Sequence, residues 1–206
     1  MKATTESIFR ELFERYPALG QCRKDVAAAF EVLLSSYRAG GKMLVCGNGG
    51  SAADAEHIVG ELLKKFKKHR DVPPAVAAKL RPELAEMLEG SLPAISLVSM
   101  GGIITAFAND VAWDAAFAQQ VLGLGRAGDA LTALSTSGNS ENCVAAAEVM
   151  KVVGGRAVAF TGARESRLSA VCDVTIRVPE TETYRVQELH LPVYHALCAM
   201  LEEELF

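Results

Sequence analysis

The stretch CGNGGSAADAEHIVGE, Cys46 to Glu61, decides how this chain is read. It is entered from KMLVCG (Lys42–Gly47), a short apolar run bounded by glycines, as expected of a strand buried on both faces of a parallel sheet. From Ser51 to about Lys68 the pattern is helical. A strand that passes through a glycine turn into a helix opens a βα unit. The backbone N–H groups of such a turn, with the positive end of the helix dipole, form a seat for an anion. The same helix carries His57 and Glu61 four residues apart, on one face, and that pairing binds metals or moves protons.

The rest of the chain repeats the unit. PAISLVS (Pro93–Ser99), DALTALS (Asp129–Ser135), GRAVAFTG (Gly155–Gly162) and VCDVTIRVP (Val171–Pro179) read as four more strands. Helical patterns lie between them, notably Asn139–Val153, and a long helix spans about Glu182 to Leu205. Apolar spacing over Thr4–Tyr16 and Val26–Tyr37 predicts a helical hairpin in residues 1–40, turning near Pro17–Gln21. The expectation is one α/β domain over 1–206, a doubly wound five-stranded parallel sheet of flavodoxin-like type with a helical hairpin at its start. Residues 71–90 interrupt the rhythm as an insertion, with a helix over Ala77–Glu89 after Pro73–Pro74.

Composition narrows the function classes. The chain has 206 residues, 50% hydrophobic and 22% charged, with a net charge of −4, so no overall positive field draws nucleic acid. Five cysteines without a CxxC read as buried thiols of a reducing compartment. The start, MKATTESIFRELFERY, lacks the apolar run of a leader, and no stretch of ~20 apolar residues would span a bilayer. The expected location is cytoplasmic.

Ligands of open α/β sheets sit at the carboxyl ends of the strands. Two such ends are equipped here: Gly47-Asn48-Gly49-Gly50-Ser51, and Ser135-Thr136-Ser137-Gly138-Asn139-Ser140 with four hydroxyls in six residues. Together they predict an anion site. Gly47–Ala52 also fits a loose G-x-G-x-x-A dinucleotide pattern. That pattern needs a second strand ending in an acid about 20 residues on, where this chain has KKFKKHRD. The basic run Lys64–Arg70 reads as a solvated helix end, with Lys65 placed to reach a substrate phosphate, and Trp113 reads as packing. The long helix holds Gln187, Glu188, His190 and His195. Either histidine would pair with Gln187 around an ion on spacing, His190 being the nearer.

CGNGGSAADAEH, FAND, GDALTALSTSGNS and RVQELHLPVYH resemble the sugar isomerase (SIS) family, in its phosphoheptose isomerase branch, over nearly the whole chain outside 71–90. The resemblance implies a five-stranded parallel sheet, a homotetramer with sites between subunits, and a small phosphorylated sugar as substrate. It implies that Ser135, Thr136, Ser137 and Ser140 grip the phosphate while Asn48, Gly49 and Ser51 hold the sugar. It further implies zinc on His57, Glu61, Gln187 and His195, which selects His195 over His190. Glu61 and His195 match the acid/base pair that moves a proton between C1 and C2 of sedoheptulose 7-phosphate or a related sugar through an enediol. A sister branch that binds the replication initiator and typically lacks that glutamate and last histidine, or a non-catalytic module that senses a phosphosugar, is the alternative. This chain departs from the isomerases at Met100 and Tyr184, where they carry aspartates, and at Lys65, where they carry arginine. These departures point to an altered substrate range.

Overall fold

Side chains alternate along the strands between two separate cores, and that alternation builds the molecule. The computed structural model describes residues 1–206. Five strands, β1 Met43–Gly47, β2 Ala94–Ser96, β3 Ala130–Leu134, β4 Arg156–Thr161 and β5 Val174–Arg177, form one sheet in the order β2-β1-β3-β4-β5, every pair parallel. Met43, Val45, Leu134, Val158 and Phe160 face a core shared with α1 (Ala3–Arg15), α2 (Arg23–Arg38), α3 (Gly50–Leu63) and α10 (Thr183–Leu205). Leu44, Cys46, Leu131, Ala133, Ala157 and Ala159 face the other, with α7 (Ala116–Leu124), α8 (Glu141–Val152) and α9 (Arg167–Val171). Helices cover both faces, as the sequence predicts. The hairpin of α1 and α2 turns through a 3-10 segment, Pro17–Cys22, also as expected.

Local chemistry shifts several boundaries. The strand expected at Pro93–Ser99 is only Ala94–Ser96. Pro82 prevents a continuous helix over Ala77–Glu89, and two short helices form instead, α4 (Pro74–Ala77) and α5 (Pro82–Met87). Between β2 and α7 lies α6 (Gly101–Asp110), an apolar helix with no buried residue. Trp113 rests on Phe117 at 6.1 Å between ring centroids and remains 48% exposed. No helix is long and apolar enough to cross a membrane.

The basic run departs most from expectation. The helix ends at Leu63, so Lys64–Arg70 is not a helical end, and Arg70 is fully buried. Its Nε donates to Glu202 Oε1 at 2.7 Å, while Nη1 and Nη2 donate to the carbonyls of Leu62 (2.6 Å) and Glu61 (2.9 Å). Arg70 thus caps the last turn of α3, where free carbonyls and the negative dipole end need a cation. Glu202, on α10, also accepts the backbone N–H groups of Phe66, Lys67 and Lys68 at 2.8, 2.8 and 3.1 Å. Segment 64–70 is therefore a strap binding the end of α3 to α10.

Arg70→Met would leave the Glu202 charge buried and unpaired, at a cost of about 3–5 kcal/mol read as a lowered urea midpoint. Burial pushes the Glu202 carboxyl up, but the N–H groups of Phe66 and Lys67 and the Arg70 guanidinium outweigh it and hold it below the ordinary 4.5. A depressed folded value gives stability that is complete above 4.5 and lost as the pH falls through the folded value. Urea midpoints measured down that acid range should fall for the wild type. Glu202→Gln should start lower and lose this part of the pH dependence.

Candidate active site

The sheet order places β1 beside β3 with their onward connections diverging, so a crevice opens above their carboxyl ends. Both loops singled out in the sequence end there. The turn after β1 is made possible by Gly49, at φ +57°, and the loop after β3 by Gly138, at φ +68°. The amides of Asn48 and Asn142 exchange two hydrogen bonds, both 2.9 Å, fastening the first loop to the opening turn of α8. Backbone N–H groups of Asn48, Gly49, Thr136, Ser137 and Ser140 donate to no protein acceptor, leaving five donors around the two loops. The Ser135 and Ser140 hydroxyls lie 2.9 Å apart, and Asn139 N–H is turned back onto Ser137 Oγ at 3.1 Å. Ser51 is buried at the foot of α3. A small anion, phosphate above all, suits this set of donors.

α3 and α10 lie side by side and run the same way. Gln187 packs on Gly50, so that a Cβ there would come within 2.7 Å of its Nε2. Two turns further along, His57 Nε2 lies 3.2 Å from Glu61 Oε1 and 3.3 Å from His195 Nε2. His57 Nδ1 is 3.0 Å from the Tyr194 hydroxyl, which is 3.1 Å from Asp54 Oδ1. The protomer thus brings together His57, Glu61 and His195, while Gln187 packs at the start of α3. His190 is elsewhere: it is fully buried beside Phe160 with Nε2 3.3 Å from the Thr161 carbonyl, and burial pushes its imidazole down to about 4. Burial, then the neighbouring His57, lowers His195 and favours its neutral ring, while Glu61 pulls the other way. Burial, then the Asp54 charge, raises the Tyr194 phenol, so it keeps its proton.

No group of three or more His, Cys, Asp or Glu side chains is preassembled around an ion position. The donors do suit one. The two spacings, 3.2 and 3.3 Å, approach the ~3.3 Å edge of a tetrahedron with 2.0–2.1 Å bonds. Two imidazoles and one carboxylate are also a ligand set of catalytic zinc, with a fourth position left open. Lys65 is engaged with Glu89, at 2.9 Å, at the far end of α3 from the loops. Met100 starts α6, and Tyr184 stands 56% exposed on the first turn of α10 with Arg185 against its hydroxyl.

The sequence reading missed Asn142, Asp54, Tyr194, Arg70 and Glu202. Asp54 had a signal, one turn before His57 on the same helix; Tyr194 had none, because its partners lie 137 and 140 residues away.

Two sequence models of the SIS domain match the chain, over residues 18–91 and 102–201. A phosphoheptose isomerase of Rhodospirillum rubrum is 40% identical over 187 residues, 91% of this chain and 89% of the relative. The structure resembles that of a phosphoheptose isomerase from Neisseria gonorrhoeae, with TM-score 0.74 and 31% identity over 98% of this chain and 100% of the other. It also resembles one from Francisella tularensis, with TM-score 0.77 and 29% identity over the same shares.

Asn142→Ala would strip the Asn48 amide of both its bonds to Asn142, costing about 1–3 kcal/mol. The check is urea denaturation of the variant. Titration with inorganic phosphate should show weaker binding if the tie also holds the loops together.

Proposed function

The chain belongs to the SIS domain family, in its phosphoheptose isomerase branch, and on that premise we propose that it isomerises a phosphorylated ketose to the aldose, sedoheptulose 7-phosphate being the first candidate. The observation that carries the reading is the meeting of Glu61 and His57, on the helix that starts at the glycine loop, with His195 of α10. His57 stands ~9 Å along α3 from Ser51, at 1.5 Å per residue, so a phosphate held by the loops leaves the far end of a sugar near these side chains.

The phosphate is taken by Ser135, Ser137 and Ser140 with the free N–H groups of Thr136, Ser137 and Ser140, while Asn48, Gly49 and Ser51 line the sugar. Glu61 removes a proton from C1 of the ketose, the C–H pair becoming the C1=C2 bond. A proton from His195 goes to the former carbonyl oxygen, giving the enediol. Return of the proton to C2 and loss of one from O1 yield the aldose. A carboxylate and a neutral imidazole are suited to such exchanges near neutral pH, each step worth about 10²–10⁴ in rate. His57, Glu61 and His195, with Gln187 as the further candidate ligand, would hold zinc, and the ion would supply Lewis-acid polarisation of the sugar carbonyl. Tyr184 in place of an aspartate removes a charge at the start of α10 and supports a substrate range different from that of the relatives.

We also assign a homotetramer. Support comes from α6: none of its residues is buried in the protomer, and Ile103, Val111 and Trp113 form exposed apolar surface on and just after it, beside the crevice. Equilibrium sedimentation should return four chains, and a charge at Ile103 should lower that number.

Glu61→Gln should abolish turnover of sedoheptulose 7-phosphate, a fall of at least ~10²-fold, while inorganic phosphate still binds. The purified protein should carry about one metal ion per chain, lost together with turnover in His57→Ala. Phosphate binding without turnover of any ketose phosphate would sink the isomerase reading and leave a phosphosugar-binding module.

A further inference from the structure

We propose that Tyr194 is a positioning residue that holds His57 as its Nδ1–H tautomer, so that the Nε2 lone pair faces Glu61 and His195. The Tyr194 oxygen lies 3.1 Å from Asp54 Oδ1 and 3.0 Å from His57 Nδ1. The Tyr194 hydroxyl donates to Asp54 Oδ1, and a phenol has only that one proton to give. The phenol oxygen then accepts, and only a protonated His57 Nδ1 can supply that bond.

Three features close off other arrangements. Tyr194 is 1% exposed, so water does not compete for its hydroxyl. The second Asp54 oxygen is buried with no partner, which makes this hydroxyl the sole protein donor to the carboxylate. At the other side of the ring, His57 Nε2 is 3.2 Å from a carboxylate oxygen and 3.3 Å from a second imidazole nitrogen. A bare lone pair facing a carboxylate at that distance is tolerable only with a proton from His195 or a cation between them. Tyr194 therefore presents His57 as a ligand or acceptor, and prevents it from settling as an Nε2–H donor to Glu61. The tautomer stands on the hydrogen bonds alone; its consequence for a cation rests on the proposed reading of His57 as a ligand.

The test uses the full chain stripped of metal. Long-range ¹⁵N–¹H correlation spectra, with the His57 signals assigned by their loss in His57→Gln, report which ring nitrogen is protonated. The wild type should show Nδ1–H. Tyr194→Phe should show Nε2–H, since Nδ1 loses its acceptor while Nε2–H gains Glu61. Asp54→Asn, which keeps an acceptor oxygen for the phenol, should retain the wild-type pattern. Zinc titration should then show affinity about 10–100-fold weaker in Tyr194→Phe and nearly unchanged in Asp54→Asn. Should Tyr194→Phe fold poorly, the wild-type and Asp54→Asn spectra still decide the matter. A wild type protonated at Nε2 overturns the proposal, as does a Tyr194→Phe spectrum still showing Nδ1–H. The expected spectra with no zinc binding by any variant would uphold Tyr194 as the positioning group and refute the metal reading instead.

Discussion

The buried contact between Arg70 and Glu202 is the constraint on which the site's geometry depends. Neither side chain is stable there alone: a guanidinium and a carboxylate removed from water cost several kcal/mol each unless their hydrogen-bonding capacity is met. Here it is met by structure that must already be in place. Arg70 needs the terminal carbonyls of α3, and Glu202 needs three consecutive N–H groups of the strap. The pair is satisfied only when α3 ends at Leu63, the chain doubles back, and α10 lies alongside. That same arrangement sets His57 against His195, so the spacing of these two imidazoles follows from an ion pair outside the crevice.

A second constraint acts at the loop end of the same helices. Gln187 lies on Gly50, where any side chain would push it away, and the two asparagines tie the loop that leads into α3 to the first turn of α8. α3 is thus fixed at both ends, and its middle turns, with Asp54, His57 and Glu61, have little freedom. Preorganisation of this kind is what general acid–base chemistry needs, because reacting groups a fraction of an ångström out of place lose much of their effect.

The fold was largely legible in the sequence because its determinants are local. Short apolar runs such as Met43–Gly47 and Ala130–Leu134 sit between glycine turns, and the alternation of their side chains between the two cores follows from the two-residue period of strands. Both donor-rich loops were visible for the same reason. What periodicity does not carry is which helix lies against which. His57 and His195 are 138 residues apart, and only the resemblance to a family brought them together; spacing alone favoured His190, which the structure puts in the core. The basic run shows the same limit. Composition makes Lys64 through Arg70 look like one solvated cluster, yet Arg70 is fully buried and Lys65 is held by Glu89. A charge's partner determines its burial, and for Arg70 that partner lies 132 residues away.

The placement of α10 also has a consequence for how the molecule is made. Synthesis proceeds from the N-terminus, so all five strands and α3 exist before α10 does. Until it arrives, Ala55, Ile58 and Leu62 of α3 lack the cover that α10 provides and the strap has no acceptor. The half-finished chain therefore carries an adhesive apolar groove for part of its synthesis, the kind of transient surface that favours association with chaperones or with other nascent chains. Pairing of such chains through their uncovered grooves, before each has its own final helix, would be a route to domain-swapped assemblies in which one chain's His195 completes another's site.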